Sequence, residues 1–89
     1  MIKRKIHIIN KLGLHARAAA KFVTLASQFT CDISVIRGER SVNGKSIMGI
    51  MMLAASKGTE LALTFDGIDE EQAFAEIKQL VDNKFGEEE

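Results

Sequence analysis

The 89-residue chain has no proline, no tryptophan and no tyrosine, and only one cysteine, Cys31. Each shortage excludes something. A lone cysteine cannot close an internal disulfide, and Cys31 with the two histidines, His7 and His15, gives no zinc-ligand spacing, so neither a disulfide framework nor a bound metal is expected. No apolar run approaches the roughly 18 residues that span a bilayer, and the opening MIKRKIHI alternates rather than forming a signal-peptide core. A cytoplasmic protein with no membrane partner is expected. The nucleotide-cradling GxxxxGK[ST] pattern is also missing, and no cofactor is anticipated.

Acidic residues are scarce in one half only. None precedes Asp32, whereas Lys3, Arg4, Lys5, Lys11, Arg17 and Lys21 are all basic, and the stretch from Asp66 to Glu89 is dominated by Asp and Glu. The net charge of zero argues against a general nucleic-acid binder, but this segregation gives the first third of the chain a positive potential suited to phosphate or an acidic surface. With 46% apolar and 27% charged residues, the composition is that of an ordinary globular protein, and the length bounds it to a single small domain, 1–89.

Periodicity supplies the elements. In IKRKIHII, Ile2, Ile6 and Ile8 alternate with Lys3, Lys5 and His7, with Arg4 breaking the apolar face, which predicts a half-buried strand. The spacing of Ala19, Phe22, Val23, Ala26 and Phe29 predicts an amphipathic helix from 16 to about 28, after a loop containing Gly13. CDISVIRGERSV reads as two short strands turning at Gly38 and Glu39. SIMGIMML, capped by Ser46, reads as a short helix, and ELALTF as another strand.

The last helix is expected to start at Asp69, with its side chain as cap and Gln72 at N3 of a capping-box-like pattern. Its buried stripe is Ala73, Phe74, Ile77, Leu80, Val81 and Phe85, with Gly86 as the stop. The order β-α-β-β-α-β-α implies an antiparallel sheet with helices on one face. It does not fix the topology, since a ferredoxin-like RNA-binding module shares the pattern. That module stacks bases on aromatic rings, and a chain without Tyr or Trp whose five Phe fall mostly on core faces suits it poorly.

His15, in NKLGLHARAAAKF, is the candidate chemical residue. At or next to a helix N-cap it faces the free N–H groups of the first turn, those of Ala16, Arg17 and Ala18, where the helix dipole is positive and phosphate binds. A neutral imidazole is a nucleophile near pH 7. Once phosphorylated, the ring carries a dianion that these N–H groups and Arg17 can stabilise. No serine, carboxylate or second histidine forms an evident constellation with it, so the chemistry of the donor is expected on another protein.

NKLGLHAR with its helix, VNGKSIMGIMML, and AASKGTEL together resemble the histidine-containing phosphocarrier (HPr) family of the bacterial phosphoenolpyruvate-dependent phosphotransferase system. The likeness covers essentially the whole chain. It implies an α+β open-faced β-sandwich, with a four-stranded antiparallel sheet of order 1-4-2-3 and three helices on one face.

The resemblance also implies a monomeric carrier rather than an enzyme. His15 would be phosphorylated on Nδ1 by phosphorylated enzyme I and would pass the group to an enzyme IIA domain for sugar uptake, with Arg17 neutralising the phosphate. A nitrogen-related carrier of the same family is the nearest alternative. A purely regulatory interaction protein is disfavoured by His15 and Arg17 together.

Ser46 would be a regulatory site for an HPr kinase/phosphorylase, and Ile47, Met48 and Met51 a docking patch whose methionines adapt to different partners. The family usually has proline after the arginine, where this chain has Ala18. At N3, alanine restores an N–H and gives up a fixed φ, so a somewhat less rigid helix start with the chemistry retained is expected.

Overall fold

A computed structural model describes residues 1–87. Strand β1 (Ile2–His7) leads to helix α1 (Ala16–Ala26), strands β2 (Asp32–Arg37) and β3 (Arg40–Asn43), helix α2 (Ile47–Met52), strand β4 (Glu60–Asp66) and helix α3 (Glu70–Asp82). A short 3₁₀ turn, Lys84–Gly86, follows. The four strands make one antiparallel sheet of order β1-β4-β2-β3. This is the 1-4-2-3 order expected above, and it closes the choice that element order left open.

The register explains why the strands alternate. Ile2, Phe65 and Ile33 lie in one cross-strand row and Leu63 and Val35 in the next, all on the helix side. Lys3, Thr64, Ser34 and Asn43 form a polar row on the opposite face. Arg4 shares the apolar side because its guanidinium lies 5.5 Å from the centre of the Phe74 ring, a cation–π contact that lets a charge sit at the core's edge. Ala18, Ala19, Phe22 and Ala26 from α1 and Ala73, Ile77 and Val81 from α3 close the core against the sheet. Each fully buried Phe or Leu there contributes about 1.5–3 kcal/mol.

Three details depart from the sequence expectations. Helix α1 ends at Ala26 rather than near 28, because Gln28 and Phe29 donate to Leu25 and Ala26 in a tightened last turn. Asp69 precedes α3 but does not cap it. Its carboxylate instead accepts the backbone N–H of Thr30 (2.8 Å) and of Cys31 (2.9 Å), tying the α1–β2 loop to the start of α3.

Those bonds, the Thr30 N–H foremost, hold the Asp69 carboxyl below its ordinary range, while burial and the nearby Asp69 push the Cys31 thiol up to about 11. Gln72 takes no part in capping and donates to Glu76. The reciprocal contact falls two residues earlier: Glu70 Oε1 accepts the Gly67 N–H at 3.1 Å and the Glu70 N–H donates to the Gly67 carbonyl at 3.2 Å.

Third, Phe85 is buried but is not part of α3. The helix stops at Asp82, and Lys84, Phe85 and Gly86 take positive φ values of 56°, 57° and 78°. This left-handed turn swings the chain back so that Phe85 fills the core and the following residue returns toward α1.

Candidate functional site

The β1–α1 loop is set by backbone contacts to the segment joining α2 to β4. The Ile8 N–H donates to the Thr59 carbonyl, the Gly58 N–H to the Ile8 carbonyl, and the Leu14 N–H to the Ala55 carbonyl at 2.9 Å. Gly13 adopts φ +68°, and a Cβ there would press on the Ala55 carbonyl oxygen and lie 2.8 Å from Ser56 Cα. Only glycine allows this approach. Leu14 then anchors in the core, and the next residue is delivered to the surface.

That residue is His15, the N-cap of α1, with extended backbone (φ −70°, ψ 176°). Its carbonyl accepts the Ala19 N–H at 2.8 Å, but its side chain makes no cap hydrogen bond, and no acidic residue lies in the first turn. Among the described residues, the N–H groups of Ala16, Arg17 and Ala18 therefore open the helix without a side-chain cap, at its positive end. Arg17 is exposed beside them, and the Ala18 methyl is buried.

The expectation that no carboxylate stands with His15 is corrected by the fold. Glu87, 72 residues away, hydrogen-bonds His15 Nε2 through Oε2. Asn10 Nδ2 donates both to the other Glu87 oxygen, at 3.1 Å, and to the Gly13 carbonyl, at 2.8 Å. Lys21 Nζ donates to the Phe85 carbonyl at 2.6 Å, fastening the same segment to α1.

The His15 and Asn10 hydrogen bonds, in that order, hold the Glu87 carboxyl below the usual glutamate range. In the sequence Glu87 belonged only to a short acidic tail. The available signals were an asparagine in an otherwise apolar and basic stretch and the Phe-Gly turn that returns the chain.

At α2, Ser46 is the N-cap and its Oγ accepts the Gly49 N–H at 3.1 Å. The helix packs against α1 and buries Ile50, leaving Ile47 (39%), Met48 (67%) and Met51 (42%) exposed. Met52 (64%), on the same helix, extends the exposed apolar surface, and Leu12 (67%) is exposed in the β1–α1 loop; neither was singled out from the sequence. Among the described residues no group of three or more His, Cys, Asp or Glu could hold a metal ion, and no helix is long and apolar enough to cross a membrane.

A small sheet-and-helix scaffold that presents one histidine at an open helix N-terminus defines a carrier class, in which one side chain is lent to chemistry driven by other proteins. A family profile described as the PTS HPr component phosphorylation site matches residues 2–83. The phosphocarrier protein HPr of Neisseria meningitidis is 54% identical over 87 residues, covering 98% of each chain, and that of Pseudomonas aeruginosa is 54% identical over 84 residues, covering 93% of each. A crystal structure of HPr-C-His from Thermoanaerobacter tengcongensis superposes with a TM-score of 0.96 at 48% identity over the whole of both chains. The chain belongs to the HPr family of phosphotransferase-system phosphocarriers, which carry a phosphoryl group rather than act as enzymes.

Proposed function

We propose that His15 accepts a phosphoryl group on Nδ1 from phosphorylated enzyme I and donates it to an enzyme IIA domain serving sugar uptake. The observation that carries this reading is the N-cap position of His15 with no side-chain cap, which leaves the first-turn N–H groups to the incoming phosphate. Arg17 adds a mobile positive charge at the same end, and charge-assisted bonds of this kind are roughly twice as strong as neutral ones. The N–P bond stays labile, so stabilising the dianion helps acceptance without trapping the group.

Ser46 serves as a second, regulatory phosphorylation site for an HPr kinase/phosphorylase, and Ile47, Met48 and Met51 form the docking patch, with Met52 widening it. The acting unit is a monomer in the cytoplasm.

The test is incubation with phosphoenolpyruvate and enzyme I, followed by mass measurement and acid treatment. An acid-labile gain of one phosphoryl group, absent in His15→Ala, is expected. No gain in the parent, or an equal gain in His15→Ala, overturns the reading. Offering sugar-branch and nitrogen-branch enzyme IIA domains separately then assigns the recipient.

A further inference from the structure

Three residues meet on one side of the His15 imidazole. Glu87 Oε2 sits on His15 Nε2, Glu87 Oε1 accepts a hydrogen bond from Asn10 Nδ2, and the same Nδ2 donates to the Gly13 carbonyl. A carboxylate only accepts, so the ring nitrogen facing it is the one bearing the hydrogen. In a neutral imidazole the lone pair is then left on Nδ1.

Asn10 is fully buried, and its amide orientation is dictated from both sides, because a carbonyl and a carboxylate each demand the NH₂ group. The price is an orphan: Asn10 Oδ1 is buried with no hydrogen-bond partner among the described residues. A core side chain held in that state does something for its neighbours that an apolar residue could not.

Lys21 and the left-handed turn at Lys84–Gly86 bring Glu87 to this place from the far end of the chain. The lowered titration of Glu87 agrees with a carboxylate kept ionised by these donors.

We infer that Asn10 and Glu87 are positioning residues of the carrier: Asn10 aims Glu87, and Glu87 holds the proton on His15 Nε2, so that Nδ1 presents its lone pair to phosphorus. The inference rests on the phosphocarrier reading and deepens it. In the transfer step the Nδ1 pair forms the new N–P bond as the N–P bond of a protein phosphoramidate donor breaks, and that bonding pair returns to the donor nitrogen. The Nε2 proton stays between ring and carboxylate throughout. The positive charge that phosphorylation places on the ring is matched by Glu87, and onward donation returns the bonding pair to Nδ1.

Glu87→Gln gives the sharpest test, because Asn10 Nδ2, pinned by Gly13, demands the glutamine oxygen and so turns the glutamine NH₂ toward His15. The ring must then accept at Nε2 and carry its proton on Nδ1. An analogous amide-for-carboxylate exchange in the serine-protease triad costs roughly 10⁴-fold through the wrong tautomer. At this partly buried site a drop of about tenfold to a hundredfold in phosphorylation rate is expected, larger than that of Glu87→Ala, which leaves the ring free.

Long-range ¹H–¹⁵N spectra of histidine-labelled protein at mildly alkaline pH report which nitrogen is protonated. The expected result is Nε2 in the parent and a shift toward Nδ1 in Glu87→Gln, with both tautomer and rate recovering in Asn10→Ala/Glu87→Gln, where the amide can turn over. A Glu87→Gln variant that labels as fast as the parent with Nε2 still protonated overturns the positioning role. The spectra need no phosphate, so the two readings separate: a parent with the expected tautomer that never labels removes the carrier function instead.

Discussion

At the start of α2 the Ser46 hydroxyl accepts the Gly49 N–H at 3.1 Å, while at the start of α1 His15 holds the same cap position and its side chain accepts none of the helix N–H groups. Both helices begin with an extended residue and neither has an acidic side chain in its first turn. The difference is that α2 satisfies one of its own orphan donors and α1 leaves them for a visitor. Closure favours local stability; openness favours a bound anion. A phosphoryl group on His15 therefore meets unspent donors, whereas one on Ser46 arrives at an end that is already served and acts mainly through its charge on the neighbouring surface.

Substitutions at the two caps can break this contrast. The largest effect is expected from His15→Ala, which should abolish acid-labile phosphate uptake while the fold is kept, because no cap bond is lost and stability falls only by what the Glu87 hydrogen bond contributes. His15→Ser should close α1 as Ser46 closes α2, adding about 0.5–2 kcal/mol in chemical denaturation and still taking up no phosphate. Next comes Arg17→Ala, with uptake about tenfold to a hundredfold slower in a rapid-quench assay, the loss of a charged hydrogen-bond partner. An unchanged rate there would mean that the backbone donors suffice.

Gly13→Ala should cost on the order of 1–3 kcal/mol in urea unfolding, because its φ of +68° and the contact with the Ala55 carbonyl leave no room for a Cβ. Ser46→Ala should cost about 0.5–2 kcal/mol by the same measurement. Ser46→Asp should keep or raise stability by about 0.3–1 kcal/mol, while raising the KM for phosphorylated enzyme I. Identical kinetics would reduce Ser46 to a helix cap.

The smallest effect is a pH dependence at Asp69. Its native carboxyl is held below the ordinary value, so the tie to Thr30 and Cys31 adds stability above about pH 4 and loses it as pH falls through the lower native value. Asp69→Ala should flatten that limb of the acid-unfolding profile and leave phosphate uptake intact.

What could be read in advance was whatever a few neighbouring residues decide. The alternation of Leu61, Leu63 and Phe65, the serine ahead of IMGIMM and the histidine ahead of an alanine-rich helix are local signals, and the strand, the serine cap and the N-cap position of the histidine stand where they pointed. Asp69 looked like a cap because the local alternative was invisible: its partners lie 38 and 39 residues back and are brought there by strand order. Glu87 was missed for the same reason, its partner being 72 residues distant.

Phe85 shows a subtler failure. It continues the stripe of Ile77 and Val81 at a spacing of four, yet a left-handed turn, not a helix, delivers it to the core. Periodicity tracked burial and mistook the backbone.

The exposed helix α2 is clamped at both ends by side chains from elsewhere. Lys45 Nζ donates to the Phe29 carbonyl at 2.6 Å just before it, and beyond it Arg37 donates to the Leu53 and Ala54 carbonyls at 2.6 and 2.9 Å while Arg40 donates to Met52 at 2.9 Å. The axis is thus fixed while Met48, Met51 and Met52 keep unbranched, rotatable side chains outside. A surface that meets this helix has no backbone to order and only rotamers to choose, about 0.5–1.5 kcal/mol for each side chain immobilised. Docking on this face would then be a matter of resetting three thioethers on a fixed rod.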